Sequence, residues 1–587
     1  MQKKIKVGIL FGGPSREREI SFLGGKTAFE NMDKRFFEPI PLFVDSLGNI
    51  IKINVELMYE QDIRSFYPSR NQNRGYDIYI ESLGELTDNQ LYKLIYKIGT
   101  QVKLEDLKKH IDFAFTIMHG PYAEDGNIQG VLEWLNIPYM GPGILGSAIG
   151  IDKPVQNNLI ALATRQEKKF FTISKKQWKT TEAADLYAEV IQKVGFPFVV
   201  KAPHQGSSIG VAIVKKRSLD EFQKAMSQCF FEQVITAKDW NGQSNRQKKN
   251  NMQKIANLDE GIGFPVAIEK QMIYHPADLL AFLNIYLKDA PQAVLSALHG
   301  EDHILIEEFI TGQEFSCGVI QDDEGKAYAL PPSEVYGDIQ TFDFKSKYKS
   351  NVSKKRIPVL TSDANLWDIH AKILTAFECT SMSVIARIDG FLTPDDVVIL
   401  HDPNTIPGMS PASFIFKQMA EIGFNITQSI TYFIRQSIRE RIRSGKNIFN
   451  LQKLLDALDQ QIALAKNNPR KKIGVQFGEN EVDYKLAQAI YGKYAASVEF
   501  EPVPICLANN GAKFQIPVNL MFKPDILEFG QSVGQAKHPF IETNIESTNV
   551  IRQFYIGEVD FKVKKLSEMD FVQFFDSVFD CTTGKIG

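Results

Sequence analysis

Short apolar runs alternate along this chain with helical stretches and turn residues, the pattern of an α/β protein built from strand–helix units. Lys6 to Phe11 is such a run, closed by Gly12-Gly13-Pro14-Ser15, and Arg16-Glu17-Arg18-Glu19-Ile20-Ser21 then opens a helix. A strand, a glycine turn and a helix N-terminus present backbone N–H groups to a ligand, although any such turn can carry a glycine pair. Residues 51 to 110 read as a polar, aromatic-rich excursion. Apolar residues return at Ile111 to Met118, a strand with His119-Gly120 at its end and Glu124-Asp125-Gly126 beyond. A histidine there is either structural or placed where α/β sheets hold ligands. A helix from Asn127 to Leu135 and a turn from Tyr139 to Gly143 close this unit near residue 150.

Asp152-Lys153 starts a second unit. Phe196 to Lys201 is a strand with a lysine at its end, followed by the small-residue loop His204-Gln205-Gly206-Ser207-Ser208-Ile209-Gly210. Lysines flanking such a loop suit phosphate oxygens as point charges, and the absence of GxxxxGK[ST] excludes the commonest nucleotide loop. A helix covers Leu219 to Met226. From about 230 to 300 the chain reads as a polar insertion, most strongly between 234 and 260. The strand Ile304 to Ile310, with Glu307, Glu308 and then Glu314, is either an edge with solvated glutamates or a reader of adenine and ribose. Two adjacent strands follow, Ala386 to Phe391 and one opening at Leu400-His401 that closes on Pro407-Gly408. They would bring Asp389, Asp402 and Asn404 to one point. Three hard oxygen donors without Cys or His suit Mg²⁺, with Arg387 as a fixed cation beside them. A surface hairpin using Asp and Asn as turn residues is the plain alternative.

Length and charge narrow the picture. At 587 residues the chain outgrows a single core of roughly 250–300 residues, so three or more domains are expected. A net charge of −3, from 67 basic and 70 acidic residues, argues against a general nucleic-acid binder. The five cysteines are scattered without CxxC spacing, so neither a disulfide framework nor a zinc site is expected. The apolar run after Met1-Gln2-Lys3-Lys4 is too short for a signal peptide, and no stretch approaches the ~20 apolar residues of a membrane span. A cytoplasmic protein is expected.

Taken in order, several motifs resemble those of the D-alanine–D-alanine ligases of the ATP-grasp superfamily. They are Gly12 to Ser21, Met118-His119-Gly120 with Glu124-Asp125-Gly126, Lys201 with Gly206 to Gly210, Ile306-Glu307-Glu308, Phe344-Lys345-Ser346-Lys347-Tyr348, Arg387-Ile388-Asp389 and Asn404 to Met409. The resemblance spans roughly residues 3 to 435. It implies an ATP-grasp fold behind an N-terminal βαβ domain, and ATP as a substrate. By that resemblance Lys153 and Lys201 hold phosphates, Glu307 and Ile310 the adenine and Glu314 the ribose, and Lys347 also binds ATP. Asp389, Asp402 and Asn404 hold two Mg²⁺, with Mn²⁺ as the alternative ion. Glu17 pairs with the ammonium of the first D-alanine and is latched by Ser207 and Tyr348, with His119 nearby. Arg387 and the N–H of Gly408 stabilise the oxyanion, and Ser413 seats the second substrate. The implied activity is peptidoglycan precursor synthesis; a ligase for other amino acids and a catalytically weak nucleotide-binding paralogue are the alternatives. Two departures stand out: Asp402 where the family has Glu, and Lys345-Ser346 where it has an acidic-alanine pair.

The chain then echoes its own beginning. Lys471 to Gly478 resembles the first strand, Phe500-Glu501-Pro502-Val503-Pro504 resembles Phe37-Glu38-Pro39-Ile40-Pro41, and Val518, Leu520, Met521, Asp525 and Ile526 fall on Val55, Leu57, Met58, Asp62 and Ile63 at one unchanged offset. Phe575-Asp576, Phe579 and Gly584 resemble Ile111-Asp112, Phe115 and Gly120. Glu17 has no clear counterpart and Thr583 replaces His119, so the copy is expected to be catalytically dead. The expected division is an N-terminal domain (1–150), an ATP-grasp small subdomain with the polar insertion (151–303), a large subdomain with the metal site (304–445), a helical linker (446–469) and the degenerate repeat (470–587). Because family members pair through their N-terminal domains, a pseudo-dimeric monomer is expected, a homodimer being the alternative. Small-molecule substrates are expected, with neither nucleic acid nor membrane as partner.

Overall fold

The structure is a computed structural model and describes residues 3–336, 354–569, 571 and 575–586. Strand β1 (Ile5–Gly12) passes through two glycines into helix α1 (Arg18–Asn31) and returns as β2 (Phe37–Val44), parallel to β1. β3 (Ile50–Ile53) and β4 (Gly99–Val102) extend the sheet, and β5 (Phe113–Thr116) pairs with β1 on the other side, giving the order β4-β3-β2-β1-β5. The continuous apolar runs follow from burial on both faces: Val7, Ile9, Leu10 and Phe11 are fully enclosed. The stretch after residue 51 thus returns two strands to the sheet and packs Phe66 edge-on against Phe22 and Phe43.

Helix α2 (Lys153–Thr164), capped by Asp152, leads to β6 (Phe170–Ser174), β7 (Phe198–Lys201) and β8 (Val211–Val214). The chain then leaves to build a separate antiparallel sheet from β9 (Glu232–Thr236), β10 (Val266–Ile268), β11 (Gln271–Ile273) and β12 (Gln292–Ala297), before β13 (His303–Glu308) inserts between β6 and β7. The expected polar insertion is therefore an ordered sheet with its own core, in which Trp240, Met252 and Ile255 meet Val266, Leu279 and Leu295. Its polar appearance arises because the helix Asn245–Ala256 buries only its last apolar residues.

The largest sheet of the middle region holds β14 (Gln313–Gln321), β15 (Ala327–Ala329), β16 (Ser333–Tyr336), β17 (Lys354–Arg356), β18 (Ile385–Leu392) and β19 (Val398–Asn404). Helices α3 (Phe414–Glu421), α4 (Ile426–Arg443) and α5 (Ile448–Asn467) follow. Helix α4 is buried along most of its length, and its Arg435 is held by Asp323 and Asp459 and stacked over Phe554 at 3.7 Å.

The last sheet contains β20 (Lys471–Gly478), β21 (Phe500–Leu507), β22 (Lys513–Gln515), β23 (Lys564–Leu566), β24 (Ser577–Asp580) and β25 (Lys585–Ile586), with helix α6 (Glu481–Ala495) after its first strand. Its centre has the registers of the first sheet. Val7 faces Pro39 and Phe113; Ile473 faces Pro502 and Ser577. Asp112 accepts from the N–H of Lys6 at 2.9 Å, and Asp576 accepts from that of Lys472 at 2.7 Å. Asp62 caps Ser65 as Asp525 caps Glu528. The corresponding helices α1 and α6 pack on each other, with the Lys34 N–H donating to the Ala496 carbonyl at 3.1 Å.

Candidate functional site

The turn after β1 requires glycine: Gly12 has φ +91°, and a Cβ there would lie 2.4 Å from the Val44 carbonyl oxygen. The turn delivers four buried residues, Ser15 to Arg18. Arg18 donates to the Ser15 carbonyl and pairs with Glu81 at 2.7 Å. Arg16 reaches across to the small antiparallel sheet, donating to the Ile262 carbonyl at 2.7 Å and stacking over Phe231 at 3.8 Å. Burial, with Arg18 nearby, lowers its pKa to about 10. The segment is thus a clamp between units, and between its two arginines it presents Glu17.

Glu17 accepts from the Gly206 N–H at 3.1 Å and from the Ser207 hydroxyl. Ser207 and Ser208 adopt left-handed conformations, φ +52° and +62°, which turn the loop toward this carboxylate. Burial raises the Glu17 pKa despite the opposing charge of His119. His119 lies 3.6 Å from Glu124, its Nε2 has no hydrogen-bond partner among the described residues, and the carboxylates outweigh burial to raise its pKa. Glu124 in turn accepts from the N–H groups of Gly120 (2.8 Å) and Ile406 (3.3 Å), which joins β5 to the loop carrying Gly408.

The same cavity, of about 580 Å³, is also lined by Lys153, Lys201, Glu307, Ile310 and Glu314. That is the size of an ordinary small-molecule site. Lys153 donates to the Gln205 carbonyl at 2.6 Å, which braces the small-residue loop. Glu307 is fully engaged: one oxygen meets Lys168 at 2.5 Å and Asn157 at 2.6 Å, the other Lys201 at 2.7 Å. Burial alone would raise its pKa, but the two lysines hold it well below the usual carboxylate range. The loop is fastened again by Glu301, which takes His204 Nδ1 at 2.8 Å and Gln205 at 2.9 Å, while Asp152 lies 3.7 Å from His204 Nε2. These two carboxylates, Asp152 first, raise the His204 pKa to about 9.

Asp389, Asp402, Asn404 and Arg387 line this cavity too. Arg387 pairs with Asn404 and Asp389 with His401, so β19 carries one extra residue and bulges. Asp402 sits in the bulge at φ +46°, 3.5 Å from Lys201, and the charges of Lys201 and Lys153 overcome burial to depress its pKa. Asp389 is held by Ser316 at 2.7 Å and by Arg387 at 3.1 Å. Two carboxylates and an amide fit a hard divalent cation completed by water and phosphate oxygens. No cluster of three His, Cys, Asp or Glu able to hold a metal occurs among the described residues. Gly408 lines this cavity and the adjoining one, where the buried Ser413 hydroxyl has no hydrogen-bond partner among the described residues.

The structure therefore brings together Glu17, His119, Ser207, Lys153, Lys201, Glu307, Ile310, Glu314, Arg387, Asp389, Asp402, Asn404 and Gly408, with Ser413 next door. Lys347 and Tyr348 lie outside the described residues. Sequence reasoning did not single out Lys168, Asn157, Arg16 or Glu301 as site residues. Lys168, Asn157 and Glu301 carry no motif of their own, and each of the four acts by pairing with a residue more than ninety positions away.

Comparison with known proteins gives these residues a family. The D-ala D-ala ligase N-terminus model matches residues 6–142, and the D-ala D-ala ligase C-terminus model matches 159–239 and 232–435. A D-alanine--D-alanine ligase of Geobacillus thermodenitrificans is 26% identical over 424 residues, covering 70% of this chain and 89% of its own. One from Bacillus cytotoxicus is 25% identical over 443 residues, covering 76% and 98%. The solved D-alanine-D-alanine ligase from Coxiella burnetii is 19% identical, covering 77% of this chain and 100% of its own, with a TM-score of 0.49. Among the described residues no helix is long and apolar enough to cross a membrane. The family models account for well over half of the chain, which belongs to the D-alanine–D-alanine ligase family.

Proposed function

We propose that this protein joins two D-alanine molecules at the expense of ATP, through an acyl phosphate, to supply cell-wall precursor. The observation that carries this reading is one cavity in which a buried carboxylate, Glu17, faces the cations Lys153, Lys201 and Arg387 across a set of hard oxygen donors. The ammonium of the first D-alanine would pair with Glu17, whose burial makes an incoming cation favourable. Its carboxylate oxygen attacks the γ-phosphorus, the bond to the bridging oxygen breaks, and ADP leaves. The amine of the second D-alanine then attacks the acyl carbonyl carbon. The oxyanion develops against Arg387 and the N–H of Gly408, phosphate departs, and the amine proton leaves with it.

Lys153 and Lys201 would hold phosphates, Ile310 the adenine and Glu314 the ribose, while Ser413 would seat the second substrate. Glu307 would act through the lysines that occupy both its oxygens rather than on adenine directly. Asp389, Asp402 and Asn404 would hold the divalent cations, two in this reading, which when bound neutralise the β- and γ-phosphates. His119 would orient Glu17, Tyr348 would help latch it, and Lys347 would bind ATP. We also read residues 470–587 as a duplicate of the N-terminal unit that lacks its chemistry and takes the place of a second subunit, supported by the shared registers and the α1–α6 contact.

The test is phosphate release from the full chain with ATP, Mg²⁺ and D-alanine, against L-alanine and no-amino-acid controls, with the product weighed. Dipeptide formed only with D-alanine is expected. ATP bound without any D-alanine-dependent release would overturn the reading, and release with other amino acids alone would redirect it.

A further inference from the structure

Next to the reaction cavity lies a larger one of about 1840 Å³, bounded on one side by Arg387, Gly408 and Ser413 and on the other by residues of the C-terminal unit. It exceeds the ordinary small-molecule range of about 300–1,000 Å³. Two of the charges that line it, Lys417 and Glu528, have no side-chain partner among the described residues. The Lys417 ammonium, on α3, makes no hydrogen bond or ion pair among the described residues, although Glu528 is among the charges acting on it. Glu528, from the C-terminal unit, likewise makes none with its carboxylate, and Lys417 is among the charges acting on it. Two neighbouring lysines are paired, Lys523 with Glu421 at 3.4 Å and Lys485 with the Pro524 carbonyl. Lys355 is stacked at 4.4 Å on Phe414. Burial pulls the Lys417 pKa down to about 8 and pushes that of Glu528 up, as expected of charges awaiting partners.

An ammonium and a carboxylate too far apart to pair directly, across a partly dry space, are complementary to a zwitterion that bridges them. We propose that this cavity holds a zwitterionic amino acid or dipeptide, its carboxylate on Lys417 and its ammonium on Glu528, beside the acyl-transfer residues. The choice of ligand rests on the ligase reading. The site exists only where the C-terminal unit docks, which gives that unit a role without chemistry of its own.

Saturation-transfer NMR titration of the full chain carrying Glu17→Gln, without nucleotide, would test this with D-alanine and with D-alanyl-D-alanine in separate arms. One of the two should bind saturably, weaken by about tenfold or more in Lys417→Met and in Glu528→Gln, and recover in Lys417→Arg. Melting temperatures guard against misfolding. No binding in either arm, or binding indifferent to both substitutions, overturns the site, and intact ligation by the unsubstituted chain would then leave the ligase reading standing. Binding lost in both variants from a chain that never ligates would overturn the ligase reading alone.

Discussion

At the scale of single residues, the site works by pairing charges that burial alone would extinguish. Glu17 is kept in place by a backbone N–H and a hydroxyl rather than by a lysine, so its charge remains available to an ammonium. Glu17→Gln keeps the shape and removes the charge. It should lower kcat/KM for D-alanine by about a hundredfold, in the range of lost charge-assisted contacts, with ATP affinity unchanged by calorimetry. His204 tests the opposite sign. Its folded pKa, about 9, lies above the ordinary 6.5, so its pairing with Asp152 and Glu301 stabilises the protein fully below pH 6.5 and fades as pH rises through 9. The melting-temperature gap between the native chain and His204→Gln should therefore shrink across that window. A gap constant from pH 6 to 9.5 would show that the imidazole acts by packing.

At the scale of elements, two backbone devices aim these side chains. One is the left-handed glycine turn after β1, from which Arg16 reaches the Ile262 carbonyl and Glu17 the Gly206 N–H. Gly12→Ala would drive a Cβ into the Val44 carbonyl and force a left-handed alanine, costing on the order of 1–3 kcal/mol. Urea unfolding should record this as a lower midpoint at unchanged slope. The other device is the bulge in β19. It supplies one extra residue and sets Asp402 in a left-handed conformation, φ +46°, with its carboxylate 3.5 Å from Lys201.

At the scale of the whole molecule, the C-terminal unit is fastened to the rest by buried polar contacts: Arg435 with Tyr555, Asn519 with Glu421, Asn544 with the Ala329 carbonyl. It sets α6 on α1, and in the proposed reading of an internal partner this contact covers the face that a second copy would use. Sedimentation at micromolar concentration should accordingly give a single species near 66.3 kDa. A species near twice that mass would remove the reading of an internal partner.

The sequence by itself determined the strand–helix order, the ends of β1, β5, β7 and β18 where the functional groups sit, and the echo between the first and last units. These are local properties, written in runs of apolar residues and in turn chemistry. It gave no warning of the sheet hidden in the stretch from 232 to 297, where a few well-placed apolar residues outweigh a polar composition. Nor could it assign Glu307, whose neighbours Lys168 and Lys201 approach from separate segments and take both its oxygens. Only the tertiary structure decided that Arg16 is a clamp, that Glu301 fastens the small-residue loop, and that Lys417 and Glu528 share a cavity. Coulomb energy depends on distance and burial, and neither is a property of position along the chain.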